Sequence, residues 1–199
     1  MSSPAGHAAV ALRAPPALPA PHLLEKVPSM TERITSTLVI GLLAAVSVLL
    51  TSYLIPVPIW VVFIAWASFF AAGGGYLGAR STLIMGFAGA ASATATLIVA
   101  SALGGAAWVV ALCCIAGAGV LVAIGHFPFF AFTPAGFFGF ASTAGTLEAT
   151  GRLVTDPPTF SHPSLLVLGA FIVGTGFGIA SEVIPRAVGS MLRSPAPAT

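Results

Sequence analysis

Residues 34–54 have the sequence ITSTLVIGLLAAVSVLLTSYL, a run without a charged side chain. A helix needs about 20 such residues to cross the hydrocarbon core of a bilayer. Pro56 and Pro58 follow the run, and proline cannot continue a helix without losing a backbone hydrogen bond. The run therefore predicts a transmembrane helix that ends just before Pro56.

Further apolar spans follow at short intervals, and together they predict an all-α, polytopic transmembrane bundle of about six spans. The predicted spans are Ile34–Leu54, Pro58–Ala72, Thr82–Leu103, Ala106–Gly125, Phe127–Leu147 and Ser164–Ile184. The second span is short and runs into three glycines at 73–75, so a five-span chain whose second segment dips in and out of the membrane is the alternative. The membrane domain is expected to cover residues 30–186.

The overall composition agrees with a membrane protein. Of the 199 residues, 57% are hydrophobic and only 6% are charged, whereas a soluble domain carries roughly 25% charged residues. The net charge of +2 without a basic run gives no indication of a nucleic-acid partner. The two cysteines, Cys113 and Cys114, are adjacent in an apolar span and form neither a disulfide framework nor a metal motif.

The two ends of the chain differ from the apolar domain. Residues 1–29 are rich in alanine and proline, which predicts a disordered tail, and Met30 directly before the first span suggests a second candidate start. Residues 187–199 are expected to form a short cytoplasmic tail.

The positive charges predict an orientation. With six spans and a cytoplasmic N-terminus, the outer segments hold only Arg152. The inner segments hold Arg13, Lys26, Arg33, Arg80, Arg186 and Arg193. Because cytoplasmic loops are enriched in lysine and arginine, both termini are expected in the cytoplasm.

The most unusual stretch is the fifth span, which is rich in phenylalanine and contains Pro134. A proline inside a helix frees a backbone carbonyl, so the sequence predicts a helix broken at Pro134. At 100° per residue, small and hydroxylic residues occupy one half of this helix, and bulky residues occupy the other. The candidate pathway-lining residues on the small face are Thr133, Gly136, Gly139, Ser142 and Thr143. The alternative is that this face only packs against another helix.

Two ionisable residues near the inner ends of spans are candidates for coupling or gating. Glu182 precedes Arg186 by four residues, so a pair of charges at the membrane rim is the competing interpretation. His126 follows the fourth span, where a local hydrogen bond is the competing interpretation. Gly174 and Gly178 in span six form a G-x-x-x-G pair, which indicates close helix packing or a subunit contact.

Groups for catalysis are not visible in the sequence. It shows no Ser/His/Asp set, no paired carboxylates and no metal-ligand spacing. We therefore expect no enzyme activity, no metal and no cofactor.

Two segments resemble a known family. Trp60 to Gly74 has a W-x-x-F-x-x-x-A-x-x-F-A-x-G-G character leading to Arg80, and Phe132 to Gly145 reads FTPAGFFGFASTAG. Both are similar to the YcdZ-like small bacterial inner-membrane proteins, a domain-of-unknown-function family. The resemblance implies a multi-span architecture in the bacterial inner membrane and carries no substrate or functional residues.

These observations support two hypotheses. The first is a channel or facilitator for a small, mostly uncharged solute, built as a homo-oligomer in the lipid bilayer, with its pathway near the fifth span. The second is a non-transporting membrane subunit or scaffold that binds another membrane protein through small-residue faces.

Overall fold

The computed structural model describes residues 30–192, and within them the chain forms six α-helices joined by short connections. The helices are α1 (Met30–Tyr53), α2 (Ile59–Ala71), α3 (Gly75–Ala102), α4 (Ala107–Ile124), α5 (Thr133–Thr150) and α6 (Pro163–Leu192), with a 3-10 turn at Pro128–Phe130 before α5. The all-helical fold expected from the sequence is confirmed. The predicted tail 1–29 and the last residues of the predicted C-terminal tail lie outside the described residues.

Glycines end helices α2 and α3. Gly73, Gly74 and Gly75 all have positive φ, as do Gly104 and Gly105. Side chains disfavour this conformation, so the chain can turn sharply between α2 and α3 and between α3 and α4 only because these positions lack a Cβ.

Three helix boundaries differ from the sequence prediction. Helix α3 begins at Gly75 rather than near Thr82, so Arg80 is helical. Pro134 lies in the first turn of α5, where its missing N–H is tolerated, and the interruption of the fifth span is the non-α segment just before it. The predicted end of span six at Pro185 is wrong for the helix, because α6 continues through Pro185 to Leu192.

Contacts along the helices fix their directions. Gly136 faces Met85, and Gly139 lies against Gly86 and Ala90 further along, so α5 runs parallel to α3. Thr94 Oγ1 lies 2.8 Å from Ser164 Oγ, whereas the N–H of Gly75 donates to Glu182 at the opposite end. Helix α6 is therefore antiparallel to α3. We call the two ends of the bundle the Gly75 end and the Pro163 end.

Helix α2 runs parallel to α6. A Cβ built on Gly169 would lie 3.3 Å from Val57. Further along both segments, Gly178 lies against Phe69. Helix α2 is thus antiparallel to α3, which favours a chain that crosses the bundle at α2 over the five-span alternative.

The two halves of the chain, α1–α3 and α4–α6, repeat one arrangement. Helix α2 contacts α6 as α5 contacts α3, and α1 contacts α6 as α4 contacts α3. Each buried position of α2 precedes its equivalent on α5 by the same number of residues. Each buried position of α3 likewise precedes its equivalent on α6 by a second constant number of residues. The α2 positions are Val61, Val62, Ala65, Ser68 and Phe69, matching Ala135, Gly136, Gly139, Ser142 and Thr143. The α3 positions are Thr82, Met85, Gly86, Gly89, Ala90, Ala93 and Thr96, matching Val167, Ala170, Phe171, Gly174, Thr175, Gly178 and Ser181.

Individual contacts follow the same equivalence. A Cβ on Gly89 would collide with the carbonyl oxygen of Gly136, and a Cβ on Gly174 would collide with that of Val62. Gly86 packs directly against the ring of Phe171, its own equivalent, so the pseudo-twofold axis passes through this contact. Because α3 and α6 are antiparallel, the axis is perpendicular to them, and the halves form an inverted repeat.

The outer surface of the bundle is apolar. Four helices, α1, α3, α4 and α6, are long and apolar enough to cross a membrane, and α2 is a shorter apolar helix. Large side chains such as Leu38, Leu42 and Ile115 are exposed. In a soluble protein such a surface would aggregate, whereas lipid covers it at no cost. The protein is a helical membrane bundle.

Candidate functional site

The two faces of α5 predicted from the sequence are both present. Gly136, Gly139, Ser142 and Thr143 are buried, and Thr133 at the helix start is partly buried. The bulky face points outward, with Phe137 and Phe138 exposed. The small face is therefore the one that α5 turns toward the other helices.

The glycines of this face bring α5 against α3. A Cβ on Gly139 would overlap the carbonyl oxygen of Gly86, and a Cβ on Gly136 would lie 2.8 Å from Cε of Met85. Backbones can approach this closely only when neither helix carries a side chain at the contact. Gly136 and Gly139 thus support helix packing, and the hydroxyl groups are what remains of the face for chemistry.

The hydroxyl groups of α5 fall into two kinds. Thr143 Oγ1 donates to the carbonyl of Gly139 in its own helix, at 2.9 Å. Ser142 Oγ and Thr146 Oγ1 are buried and have no hydrogen-bond partner in the described residues. A buried hydroxyl without a partner costs about 1–3 kcal/mol, so these two groups require an explanation that packing does not supply.

Two neighbouring helices contribute similar groups. Thr175 Oγ1 on α6 and Trp66 Nε1 on α2 are also buried and unpaired in the described part of the chain. Helices α2, α5 and α6 all contact one another, and Trp66, Ser142 and Thr175 lie near the middle of their helices. We call Trp66 Nε1, Ser142 Oγ, Thr146 Oγ1 and Thr175 Oγ1 the unpaired polar groups.

The inverted repeat explains why Ser142 has no partner. Its equivalent, Ser68, lies 3.2 Å from the hydroxyl of Thr82, both oxygens being buried. The residue equivalent to Thr82 is Val167, which is fully buried and has no polar atom to offer. The first half makes this hydrogen bond between two of its own side chains, whereas the second half leaves Ser142 without a partner.

The sequence identified Ser142 as a candidate but missed Ser68, Thr82, Thr175 and Trp66. A hydroxyl in a membrane helix can bond to its own backbone, so its presence alone does not show where it points. Comparing span two with span five would have found Ser68, because FIAWAS at residues 63–68 resembles FFGFAS at residues 137–142.

The two ionisable candidates both lie at the Gly75 end, away from the unpaired polar groups. Both carboxylate oxygens of Glu182 accept from the N–H of Gly75 at 3.2 Å, and Arg186 lies 3.6 Å away. The ion pair expected between Glu182 and Arg186 is present. Glu182 also caps the first turn of α3, where a negative charge complements the helix dipole.

His126 makes the local hydrogen bond that was its competing interpretation. Its Nδ1 lies 3.0 Å from the carbonyl of Val122 and 3.3 Å from that of Ala123, so it caps the C-terminus of α4. The exposed ring has no contact with Glu182 among the described hydrogen bonds and ion pairs.

The chemistry available at the unpaired polar groups is neutral hydrogen bonding. No set of three or more metal-binding side chains occurs in residues 30–192, and the groups themselves carry no charge. Hydroxyls can both donate and accept, and the indole N–H can donate. Such a set suits a small molecule that has its own donors and acceptors.

Comparison with known proteins gives a family match. The model of a family described as "Protein of unknown function (DUF1097)" matches residues 37–186, which is most of the chain. No curated protein matches, and no solved structure matches.

Proposed function

The chain belongs to the DUF1097 family, and we propose that it is a channel or facilitator for a small, mostly uncharged solute. Within that family we place it with the YcdZ-like proteins of the bacterial inner membrane. We further propose six crossings with both termini in the cytoplasm, because Arg152 then lies outside while Arg80 and Arg186 lie inside. The Gly75 end is the cytoplasmic end in this orientation.

The observation that carries the proposal is the set of unpaired polar groups inside an inverted repeat. Transporters built as inverted repeats bind their substrates near the bilayer midplane, where the repeats meet. Here Ser142 and Thr175 are mid-helix, buried and without partners, which is the arrangement that a transient ligand would complete. A bundle that only packed its helices would gain stability by replacing these hydroxyls with apolar groups.

The solute class follows from the same residues. Ions crossing a membrane need charged rings or rows of carbonyl oxygens, whereas the unpaired polar groups are uncharged hydroxyls and an indole N–H. A small molecule with amide, hydroxyl or carboxylic-acid groups in neutral form would meet the donors and acceptors present. Because Ser142 is fully buried, passage requires α5 and α6 to separate.

Solute entry into proteoliposomes tests the proposal. Stopped-flow light scattering after an osmotic jump would compare vesicles with and without the protein across small neutral and weakly acidic solutes. The proposal predicts faster entry of at least one solute. It also predicts that Ser142→Val with Thr175→Val slows entry by about fivefold for each hydrogen bond lost.

The matched control is Thr37→Val, since Thr37 is an exposed α1 threonine that bonds only to its own backbone. Replacing Thr133 or Thr143 by a bulky residue should also reduce entry if the whole face lines the pathway. No acceleration for any solute by folded protein would overturn the transport proposal.

The alternative is a non-transporting subunit or scaffold that binds another membrane protein. Helix α1 favours it, because only Ser47 in this 24-residue helix is buried while Leu38 and Leu42 are largely exposed. Recovery of a membrane partner at fixed stoichiometry, together with no solute entry, would support this alternative. The same face is available for a homo-oligomer, which a mass measurement in detergent would detect.

A further inference from the structure

A groove of about 430 Å³ lies between α3 and α4 on the outside of the bundle. Its size falls within the range of about 300–1,000 Å³ that is typical of ligand sites. Small residues form most of its wall, among them Ala88, Ser92, Cys113 and Gly117. The hydroxyl of Ser92 donates to the carbonyl of Gly117 at 3.0 Å, so this polar group is already satisfied.

The inverted repeat shows that this groove is present on one side of the bundle and filled at the equivalent position on the other. The equivalent position lies between α6 and α1, where Val173 and Phe177 stand in place of Ala88 and Ser92. Pairing the buried Ser47 of α1 with the buried Gly117 of α4 puts Leu43 in place of Cys113. Leu43, Leu50 and Val173 pack against the core that contains Phe177. The same helix arrangement is thus filled by the protein's own side chains on one side and left open on the other.

A cation lies at one end of the helix pair that forms the groove. Arg80 is in the second turn of α3, and its guanidinium carbon lies 4.4 Å from the ring centre of Phe129, in the segment that follows α4. No acidic side chain pairs with Arg80 in residues 30–192. Contact with an aromatic face leaves guanidinium N–H groups available to bind an anion such as phosphate.

The geometry points to a binding site for one anionic phospholipid, with an acyl chain in the α3–α4 groove and the headgroup phosphate at Arg80. The apolar wall matches a hydrocarbon chain, and exposed residues beside the groove, such as Leu112 and Ile115, face the lipid that would supply it. Basic pockets between transmembrane helices on the cytoplasmic side bind anionic headgroups, and the orientation proposed above puts Arg80 on that side. The site is separate from the unpaired polar groups and does not depend on the proposed transport activity.

Native mass spectrometry tests this site. The protein would be reconstituted in vesicles of phosphatidylethanolamine and phosphatidylglycerol, extracted in mild detergent and analysed for bound lipid. We expect one retained phosphatidylglycerol per chain. The variant Ala88→Val/Cys113→Leu, which copies the filled side between α1 and α6, should lose it, and Ser92→Phe is a second filling variant if the first does not fold.

Two controls separate the site from general effects. Ala111→Leu adds similar volume to an exposed position of α4 that does not line the groove and should retain the lipid. Arg80→Gln should lower the preference for phosphatidylglycerol over phosphatidylethanolamine by about fivefold, whereas Arg186→Gln, a cation at the same end of the bundle, should not. Retention of lipid in both filling variants would overturn the proposal, as would a lipid-free dimer in which a second copy covers Cys113.

Discussion

The first and second halves of the bundle use one backbone arrangement with different side chains. In the first half, α2 packs on α6 with Val62, Ala65 and Phe69 against the glycines of α6. In the second half, glycines on both α5 and α3 meet, and the backbones touch directly. The repeat fixes where helices cross, and the residue sizes at each crossing decide which half keeps polar groups and open space.

The difference between the halves also separates structural from functional features. The first half pairs Ser68 with Thr82, and the side of the bundle between α1 and α6 is filled by side chains, which is what stability alone would favour. The second half has an unpaired Ser142, and the side of the bundle between α3 and α4 has an unfilled groove. Departures from the better-packed copy are therefore the positions at which a ligand is expected.

The largest effect is expected from breaking the glycine contact. Gly139→Ala places a Cβ against the carbonyl of Gly86, and overpacking of this kind destabilises by roughly 1–3 kcal/mol. Unfolding in increasing dodecyl sulfate would measure the loss. Gly119→Ala is the control, because nothing lies within 4 Å of the added Cβ, and equal losses in both variants would contradict the role of the contact.

Removing the hydrogen bond of the first half should have the next largest effect. Thr82→Val would make the first half resemble the second and leave Ser68 unpaired, at a cost of about 1 kcal/mol. The same unfolding measurement applies. An unchanged stability would show that Ser68 bonds elsewhere. The proposed contrast between a paired Ser68 and an unpaired Ser142 would then be contradicted.

The reverse substitution should have a smaller effect of opposite sign. Val167→Thr would offer Ser142 the partner that Ser68 has, and such bonds in membrane proteins contribute about 0.6 kcal/mol on average. We expect higher stability together with slower solute entry, since the site would be satisfied internally. Higher stability with unchanged entry would remove Ser142 from the pathway.

An effect of similar size is expected at the Gly75 end, where the two halves also differ. Glu182 caps α3 and its equivalent position on α3 is Leu97, so the Pro163 end lacks this contact. Glu182→Gln should destabilise by roughly 0.3–1 kcal/mol, because the charge complements the N-terminal dipole of α3. Arg186→Gln should change stability less, since its side chain is 76% exposed and exposed ion pairs contribute little. A larger loss of stability in Arg186→Gln than in Glu182→Gln would show that the ion pair, and not the cap of α3, stabilises this end.

Much of the architecture could be predicted from local sequence. Hydropathy located all six helices, and the wheel of the fifth span predicted which side of α5 is buried. The boundaries at Gly75 and Leu192 could not be predicted in the same way. Span three was expected to begin near Thr82, but α3 begins at Gly75, whose N–H donates to Glu182 of α6. Span six was expected to end at Pro185, but α6 continues through it.

The candidate site was predicted only in part. Ser142 was singled out for its helix face, and Glu182 for its pair with Arg186. Thr175 and Trp66 were missed because one hydroxyl or indole in an apolar span carries no sign of its partners. The groove at Cys113 was missed because its walls come from two helices. The sequence of either helix alone does not show that the space between them is unfilled.

The amino-acid sequence by itself determined that this chain is a helical membrane protein, since the length and hydropathy of each span are local properties that a bilayer selects directly. Only the tertiary structure decided that the halves form an inverted repeat and that Gly89 meets Gly136 as Gly174 meets Val62. The physical reason is that lipid is as apolar as the side chains. Hydrophobicity therefore cannot choose helix partners, and the choice is left to close fits between small residues far apart in the chain.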